Sequence, residues 1–452
     1  MPCNNSYTAY NSKSPKHFVV TNSNPKRPIE IYIDLLFNAM QNQTCPICNG
    51  TNIQNFLDLG IQPFANKLEP DKLTAKASKH YNLSLRICSD CLYVWRGNSA
   101  PKEELFIDNT YITGISLETR EDMKNFADSC INTCKVLPGA RVLDIASNDG
   151  TLLEFFRKEG MTILGVDPSR PAAEISIIKG IETINTFFDS KTAEEILLKY
   201  GKFDLITATN VITHVDNPIE FLESCKQILR SSGSAVVEFY NFDALISNIA
   251  FDQIYHEHVS YFNFTTFSNA LNTVGLRAYK VEHVKSQGGS LRVFISWVGS
   301  KPIDSSVTET LRKEGTTQEI RDRYLQFPKL VSKRKNEILD FLQNEKSKGT
   351  RIAGYGASAK ATVLLNYLRV SDETVTAIAD NNLIKQGKYV PGVAIPIVSV
   401  QDLKEIDPDV IILFAWNLRS ELKQYLSKNF SSSTSVVTFM PKIEMNKLIG
   451  EV

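Results

Sequence analysis

The stretch "ARVLDIASNDGTLLEFFRKEG" (residues 140–160) decides the fold class. A short apolar run, a polar turn and an amphipathic run follow one another, which predicts a buried strand that leads into a helix. "MTILGVDPSRPAAEISIIKG" (residues 161–180) repeats this order, and "KFDLITATN" and "SAVVEFY" add buried strands downstream. Strands that alternate with helices form a parallel, doubly wound sheet. The central part of the chain is therefore predicted to be a Rossmann-like α/β domain.

The turn after the first of these strands has the layout of an S-adenosylmethionine (SAM) site. Its small residues let a ligand approach the backbone closely, and Asp144 could hold the ligand's ammonium group or a nearby turn. A carboxylate at Asp167, where the second strand ends, suits two ribose hydroxyls. The turn differs from the GxGxG pattern usual in that class, so an ordinary strand–helix turn is the alternative. The predicted cofactor-binding residues are Asp144, Ala146, Asn148, Gly150, Asp167, Pro168, Phe188 and Asn210.

Two CxxC pairs upstream predict a metal site. "TCPICNG" contains Cys45 and Cys48, and "LRICSDCLYVW" contains Cys88 and Cys91. Each pair reads as a tight turn that places two sulfurs on one side, and four thiolates are the ligands of structural zinc. The alternatives are buried free cysteines or a redox CxxC. Four thiolates leave zinc no open position, so we expect no catalysis there.

Composition limits the classes of function. The 452 residues include 50 basic and 50 acidic side chains, and 42% are apolar. A balanced charge argues against a nucleic-acid partner. No apolar run approaches the roughly 20 residues of a membrane span, and the first thirty residues lack the apolar segment of a secretory signal. We expect a cytoplasmic enzyme, with no membrane or nucleic-acid partner.

A second strand–turn–helix unit lies near the C-terminus. "GYGASA" from Gly354 fits the dinucleotide fingerprint GxGxxA, with Asp380 as the acidic residue and Lys360 placed to meet a phosphate. This unit could hold NAD, hold the phosphates of a substrate, or be structural only. The predicted segments are a polar N-terminal tail (1–42), a zinc-binding domain (43–100), a SAM domain (101–303), a helical connector (304–348) and a C-terminal Rossmann-like domain (349–452).

The stretch "DQIYHEHVSYF" (residues 252–262) concentrates ionisable groups. On a strand, His256 and His258 would share a face and could begin a metal site, although a third ligand would have to come from elsewhere. On a helix or turn, Tyr255 and His258 share a face instead. The residues alone leave a metal site and a proton-transfer site open.

Taken together, the motifs resemble those of a known family. The CxxC pairs, "LGIQPFANKL", "IASNDGTLLEFF", "GVDPS", "NVITHVDN", "IYHEHVSYF", "GGSLR" and "GYGASAKATVLLN" occur in this order. The chain thus resembles the SAM-dependent sugar C-methyltransferases that act on nucleotide-linked 4-keto-6-deoxy sugars. The resemblance implies a zinc domain, a SAM domain and a C-terminal Rossmann-like domain, of which the first and last help to hold the nucleotide sugar. It also implies methylation at C3, beside the C4 ketone.

The resemblance implies roles for individual residues as well. A C–H beside a ketone is a weak acid, so a base must remove the proton while another group stabilises the enolate. The family's base corresponds to His258, with Tyr255 and Glu257 in supporting positions. Tyr111 corresponds to a further tyrosine, although the second tyrosine expected two residues earlier is Asn109 here. The predicted substrate-binding residues are His256, Arg292, Gly354, Tyr355 and Lys360.

Other functions stay open at this point. One alternative is a SAM-dependent O- or N-methyltransferase on another sugar or small metabolite. Another is an NAD-dependent oxidoreductase centred on "GYGASA". The expected cofactors are SAM and structural Zn²⁺, the expected partner is the nucleotide-linked 4-keto-6-deoxy sugar, and a monomer is expected.

Overall fold

The computed structural model describes residues 44–97, 100–109 and 111–448, and the tail predicted for residues 1–42 lies outside the described residues. In chain order, the strands are β1 (Ile53–Pro63), β2 (His80–Cys88), β3 (Val94–Arg96), β4 (Arg141–Ile145), β5 (Thr162–Val166), β6 (Thr183–Ile184), β7 (Phe203–Thr209), β8 (Leu229–Tyr240), β9 (Ser260–Tyr261), β10 (Leu276–Val284), β11 (Ser290–Trp297), β12 (Ile352–Tyr355), β13 (Ile378–Ala379), β14 (Ile397–Val398), β15 (Val410–Leu413), β16 (Ser435–Thr438) and β17 (Glu444–Lys447). The α-helices are α1 (Lys72–Lys76), α2 (Lys102–Phe106), α3 (Leu117–Cys134), α4 (Thr151–Lys158), α5 (Arg170–Ile178), α6 (Ser190–Tyr200), α7 (Pro218–Ile228), α8 (Phe242–Ser247), α9 (Phe264–Thr273), α10 (Ser305–Glu314), α11 (Thr317–Ser347), α12 (Ala359–Leu368), α13 (Val400–Ile406) and α14 (Arg419–Ser427).

The central sheet has the architecture that the alternating sequence predicts. Its seven strands lie in the order β10-β11-β8-β7-β4-β5-β6, with β4 to β8 parallel and β11 and β10 antiparallel at one edge. Helix starts are fixed by side chains that accept backbone hydrogen bonds, as Ser169 does before α5 and Asn217 before α7. The carboxyl ends of the parallel strands meet at one edge, where open α/β sheets bind their ligands.

The N-terminal sheet borrows a strand from the middle of the chain. Its order is β1-β2-β3-β9, and all neighbours are antiparallel. β9 lies near the end of the histidine-rich stretch (residues 252–262), and it pairs with β3 through Val94 opposite Tyr261 and Trp95 opposite Ser260. The side chains of Tyr93 and Ser260 are also hydrogen-bonded, with the two oxygens 2.6 Å apart in the buried interior. The zinc-bearing part of the chain is thereby joined to residues next to His258.

The C-terminal sheet is the second Rossmann-like unit. Its order is β14-β13-β12-β15-β16-β17, parallel except for the β16–β17 pair. β12 leads through the "GYGASA" turn into α12, as the fingerprint predicts. Both α/β units are therefore present in the described part of the chain.

The charged segment between these units is part of the core rather than an exposed linker. α11 begins with a capping box between Thr316 and Glu319 and runs for 31 residues. Tyr324 and Phe327 on this helix are fully buried and pack against Phe56 of β1 and Phe242 of α8. Despite the length of α11, no helix in the described residues combines the length and apolarity that crossing a membrane requires.

Candidate active site

The turn between β4 and α4 is held by Asp167, the carboxylate that follows β5. The amide of Asn148 donates to one oxygen of Asp167 at 2.7 Å, and the amide of Ser169 donates to the other at 2.7 Å. Ala146 and Asn148 both have positive φ, at 55° and 51°, a backbone region that is strained for residues other than glycine. Such strain persists only where the surroundings enforce it, and Asp167 does so here.

Gly150 has a packing role in this structure. Its φ is +75°, and a Cβ placed on it would lie 2.5 Å from Cδ1 of Ile181 and 2.6 Å from Oγ of Ser176. Protein atoms therefore occupy the space beside Gly150 in which the sequence predicts a ligand. Ala146 and Asn148 are the half-buried residues of the turn, and Pro168, beside Asp167, is half-buried as well.

Burial controls the charge of the two carboxylates at these strand ends. Desolvation raises the pKa of Asp167 to about 6 and that of Asp144 to about 7. Asp144 accepts a hydrogen bond from Thr207 at 2.8 Å across the sheet, so it faces β7 instead of an open cleft. A bound cation would favour the charged form of both groups.

The other predicted cofactor residues lie along the same sheet edge. Asn210 follows β7 with φ at 56°, and its amide donates to the carbonyl of Glu238 in β8 at 2.7 Å. The Phe188 ring meets Phe221 edge-on at 5.7 Å. The neighbouring Phe187 contacts Phe106, whose ring also lies 5.4 Å from His214. The rings of Phe187 and Phe106 thus lie between the end of β6 and His214.

Replacing Asp167 by asparagine is expected to weaken SAM binding by about 10- to 100-fold, the value of a hydrogen bond to a charged group. Isothermal titration with SAM measures the change. Asp189→Asn is the matched control, because Asp189 caps α6 and asparagine caps helices equally well. Equal SAM affinity for Asp167→Asn and the unmodified protein would contradict the assignment.

Tyr111 is tied to the SAM turn by its backbone. Asn148 donates through Nδ2 to the carbonyl of Tyr111 at 2.9 Å and accepts from the amide of Thr113 at 2.8 Å. Asn109, where the family has a tyrosine, accepts from the amide of Tyr111 at 2.9 Å and so shapes the local turn. Tyr111 as a whole residue is 60% exposed, while the protein around its phenol raises the pKa of that group by desolvation.

His258 is oriented by a backbone carbonyl. Its Nδ1 lies 2.7 Å from the carbonyl oxygen of Gln253, which can only accept, so Nδ1 carries the hydrogen. The lone pair is then on Nε2. The Tyr255 ring packs against the imidazole with centroids 3.9 Å apart. Gln253 could not be identified from a motif, because its contribution comes from the main chain.

His258 is uncharged at neutral pH, and this is the form of an imidazole that can accept a proton. Burial lowers its pKa from 6.5 to about 3, and the neighbouring His214 and Lys360 also disfavour the cation. Burial raises the pKa of Tyr255, and Glu257 and Tyr111 add to that shift. At neutral pH the imidazole is therefore uncharged and the Tyr255 phenol keeps its proton.

Glu257 connects this stretch to the N-terminal domain. One carboxylate oxygen accepts from Nδ2 of Asn66 at 2.9 Å, and Asn66 belongs to the "LGIQPFANKL" motif. The other oxygen is buried and has no partner among the described residues. Burial raises the pKa of Glu257. A buried acceptor without a partner is a group that a substrate hydroxyl could satisfy.

His256 is packed among aromatic rings, and the substrate contact predicted for it stays a prediction. Its ring is buried against Phe64 and Tyr81, with centroids 5.3 and 6.0 Å away. Arg96 donates to the His256 carbonyl at 2.6 Å. Because His256 points toward β1 and β2 while His258 points toward Gln253, the two imidazoles do not converge on a common metal position.

His214 is the second imidazole next to His258. It lies in the 3₁₀ turn Ile212–His214, with Nδ1 2.8 Å from the carbonyl of Glu257 and its ring edge-on to His258 at 5.2 Å. Burial lowers its pKa to about 4. The "NVITHVDN" motif therefore contributes a neutral ring beside His258.

Arg292 is part of a buried ion-pair network, and the substrate contact predicted for it stays a prediction. Its Nε donates to Glu238 at 2.8 Å and its Nη1 to Glu282 at 3.3 Å. The guanidinium also lies over the Phe126 ring at 4.6 Å. The pairing of β11 with β8 and β10 thus places Arg292 opposite both carboxylates.

Of the three residues predicted to bind substrate in the C-terminal unit, Lys360 is the one whose charge acts on His258. A Cβ on Gly354 would lie 2.5 Å from the Phe414 ring, so packing explains this glycine, and Tyr355 packs near Tyr425 at 6.0 Å. Lys360 is buried, donates to Asn417 at 2.7 Å and lies over the Trp416 ring at 5.0 Å. Predicted ligand roles for Gly354 and Tyr355 are not supported by their surroundings.

Asp380, the predicted acidic residue of the dinucleotide fingerprint, is engaged by protein groups. It accepts from the amide of Ala357 in the glycine-rich turn at 2.9 Å and pairs with Lys385 at 3.4 Å. Backbone amides hold Asp167 in the same way, so these contacts alone do not distinguish an NAD site from a structural turn.

The four cysteines form a thiolate cluster that fits zinc. Their sulfurs all lie within 4.8 Å of one another, with Cys45 and Cys91 3.5 Å apart and Cys48 and Cys88 3.6 Å apart. Zinc–sulfur bonds of about 2.3 Å in a tetrahedron require sulfur separations of about 3.8 Å. Each turn ends in a left-handed residue, Asn49 or Leu92. Four thiolates leave zinc no open position, as expected for a structural metal.

Family models match the described domains in chain order. They are described as "Putative zinc binding domain" for residues 45–106, "Methyltransferase domain" for residues 120–281 and "C-methyltransferase C-terminal domain" for residues 285–441. C-methyltransferase NovU of Streptomyces niveus is 28% identical over 381 residues, which are 84% of this chain and 90% of NovU.

More distant similarities cover only parts of the chain. A ubiquinone biosynthesis O-methyltransferase of Vibrio parahaemolyticus is 28% identical over 97 residues, 21% of this chain and 41% of that protein. The crystal structure of a S-adenosylmethionine-dependent methyltransferase from Clostridium acetobutylicum ATCC 824 aligns with 40% of this chain and 92% of its own at 13% identity and a TM-score of 0.33.

Proposed function

We propose that the chain is a SAM-dependent methyltransferase that methylates carbon C3 of a nucleotide-linked 4-keto-6-deoxy sugar. The observation that carries the proposal is the orientation of His258. Its Nδ1–H is held by the carbonyl of Gln253, and burial keeps the imidazole neutral, which leaves Nε2 as a base. Similarity to C-methyltransferase NovU over 84% of the chain supports transfer to carbon.

Transfer to carbon beside a ketone needs a base of this kind. His258 would accept the C3 proton on Nε2, and the electron pair left behind would delocalise onto the C4 oxygen. The Tyr255 phenol keeps its proton at neutral pH and could donate to that oxygen. SAM, when bound, supplies the methyl group that the C3 carbon attacks. The rest of the SAM molecule leaves as S-adenosylhomocysteine.

The sugar nucleotide would lie between the central and C-terminal sheets. Lys360 near the start of α12 is a buried cation that could meet the diphosphate. Asn66 and Glu257 could contact the sugar, because the second oxygen of Glu257 lacks a partner among the described residues. Incubating the protein with SAM and a panel of nucleotide-linked 4-keto sugars tests the proposal, and a product heavier by one CH₂ group supports it.

The protonation state of His258 should reflect its low pKa. A base acts in its unprotonated form, so a pKa lowered from 6.5 to about 3 keeps the active form down to acidic pH. The His258 imidazole is therefore expected to stay neutral from about pH 8 to about pH 5. Asp252 and Asp167, whose pKa values burial raises to about 6, titrate in this range and would shape the rate profile, so nitrogen-15 NMR of His258 across the pH series measures the base itself. A His258 titration centred near an ordinary histidine pKa would contradict the assigned environment.

A further inference from the structure

A buried hydrogen bond joins the C-terminal sheet to the turn that precedes the base. Trp416, after β15, donates through Nε1 to Oδ2 of Asp252 at 2.9 Å. Trp416 is 9% exposed and Asp252 only 1%. A carboxylate so far from water needs a partner, and burial raises its pKa to about 6 even with one. The indole N–H is the side-chain donor that the structure gives it.

Asp252 and the residue that holds the base are neighbours in one short turn. The 3₁₀ turn Phe251–Gln253 contains Asp252 at its centre and Gln253 at its end. Gln253 is the residue whose carbonyl accepts from Nδ1 of His258. The carbonyl of Gln253 is coplanar with the amide of Ile254, which donates to the carbonyl of Phe251 at 3.1 Å. The short turn that the Asp252 side chain anchors therefore also sets the direction of this carbonyl.

A second set of contacts supports the same turn. Nε2 of Gln253 donates to the carbonyl of Gln287 at 3.0 Å, and Nδ2 of Asn248 donates to the carbonyl of Gly288 at 3.3 Å. A Cβ on Gly288 would lie 3.1 Å from the Trp416 ring, so the "SQGG" loop packs closely on the indole. The Trp416 indole thus contacts the Asp252 carboxylate and the "SQGG" loop, and both of these stabilise the turn Phe251–Gln253.

We propose that Trp416 is a positioning residue, which acts through Asp252 and Gln253 to hold His258 with its hydrogen on Nδ1. Only the expected effect of Trp416 on turnover rests on the proposed function. The expected effect on the His258 tautomer does not. This role gives the C-terminal domain a part in orienting the base, in addition to any contact with the nucleotide. A histidine side chain free in solution has no carbonyl that fixes its tautomer. The tautomer of His258 therefore shows whether the contacts from Trp416 through Asp252 to Gln253 are intact.

Trp416→Phe tests the proposal, because phenylalanine keeps an aromatic ring and removes the N–H. Nitrogen-15 NMR of histidine-labelled protein shows which ring nitrogen of His258 carries hydrogen, with His258→Gln used to assign its signals. We expect a protonated Nδ1 in the unmodified protein and a mixture of tautomers in Trp416→Phe. We also expect kcat to fall by about 10- to 100-fold while KM changes little, as for a misplaced catalytic group.

Trp297→Phe is the matched control. The chain has three tryptophans, and the Nε1 of Trp297 has no hydrogen-bond partner among the described residues. Its replacement should leave the His258 tautomer and kcat unchanged. Asp252→Asn keeps an acceptor for the indole and should retain more activity than Asp252→Ala, as expected for a positioning role.

The outcomes separate this inference from the proposed function. An unchanged His258 tautomer and unchanged kcat in Trp416→Phe would overturn the inference. If the tautomer becomes mixed but the unmodified protein methylates no keto sugar, the positioning role stands and the proposed substrate is wrong. A thermal unfolding curve confirms that each variant is folded before it is compared.

Discussion

Replacing His258 by alanine is expected to lower kcat by about 10²- to 10⁴-fold, the usual contribution of a general base. No other described group combines a neutral imidazole, a fixed Nδ1–H and close packing on the Tyr255 phenol. SAM affinity should be unchanged, because the SAM turn is held by Asp167 and not by this stretch. Single-turnover rates and SAM titration together measure the effect.

His283→Ala is a suitable control for this variant. His283 is an exposed residue of β10 whose Nε2 lies 3.1 Å from Oγ1 of Thr310, outside the cluster around His258. It should retain the activity of the unmodified protein. Full activity in His258→Ala would show that another group removes the proton, and His214, 5.2 Å away between ring centroids, would be the next residue to test.

Replacing Cys88 by serine is expected to cause the largest loss of stability. Apparent binding free energies of structural zinc reach about 10–16 kcal/mol in isolated fingers, and metal binding is coupled to folding. Cys88 is the last residue of β2 and is fully buried with Cys45 in the same core cluster as Tyr93. Loss of the metal should therefore loosen β2 and β3, with a lower Tm and less than one zinc per chain.

This change should also reduce activity, although the cluster is not catalytic. β3 pairs with β9, which begins two residues after His258. Arg96 of β3 holds the His256 carbonyl, and Asn66 holds Glu257. A loosened N-terminal sheet would thus release the stretch that carries the base.

Cys225→Ala provides the comparison for Cys88→Ser. Cys225 is a buried free cysteine on α7, so its replacement removes a sulfur without touching the cluster. It should keep a full zinc content, and any drop in Tm should be small. Unaltered zinc content and Tm in Cys88→Ser would contradict a four-thiolate site.

Local patterns were enough to predict the architecture. Periodicity predicted the strands around residues 140–240 because buried parallel strands are continuously apolar, as in β4 and β7. The two CxxC turns predicted the thiolate cluster because each turn fixes the direction of its own sulfurs. Neither prediction required knowledge of distant contacts.

Side-chain partners between distant segments could not be read in this way. Arg292 is directed to Glu238 and Glu282 by the pairing of β11 with β8 and β10, and His256 is directed to Phe64 and Tyr81 by the N-terminal sheet. Gly354 satisfies the dinucleotide pattern, yet its space is filled by Phe414. In each case tertiary packing gives the residue a neighbour inside the protein that its type alone does not reveal, and its predicted role in ligand binding stays a prediction.

The roles of Gln253 and Trp416 were hidden for a related reason. A main-chain carbonyl leaves no trace in the residue type, and the indole of Trp416 reaches Asp252 across 164 positions of sequence. Only the folded chain brings these groups to His258.

Exchange of the C3 hydrogen tests the central claim most directly. The protein is incubated in D₂O with S-adenosylhomocysteine and a nucleotide-linked 4-keto-6-deoxy sugar, and deuterium at C3 is followed by NMR with His258→Ala as the control. Removal of the C3 proton by His258 predicts deuterium at C3 with the unmodified protein and no enzyme-dependent exchange with the variant. If the protein methylates the sugar from SAM but never exchanges C3, or places the methyl group on oxygen, the proposed transfer to carbon through an enolate is contradicted.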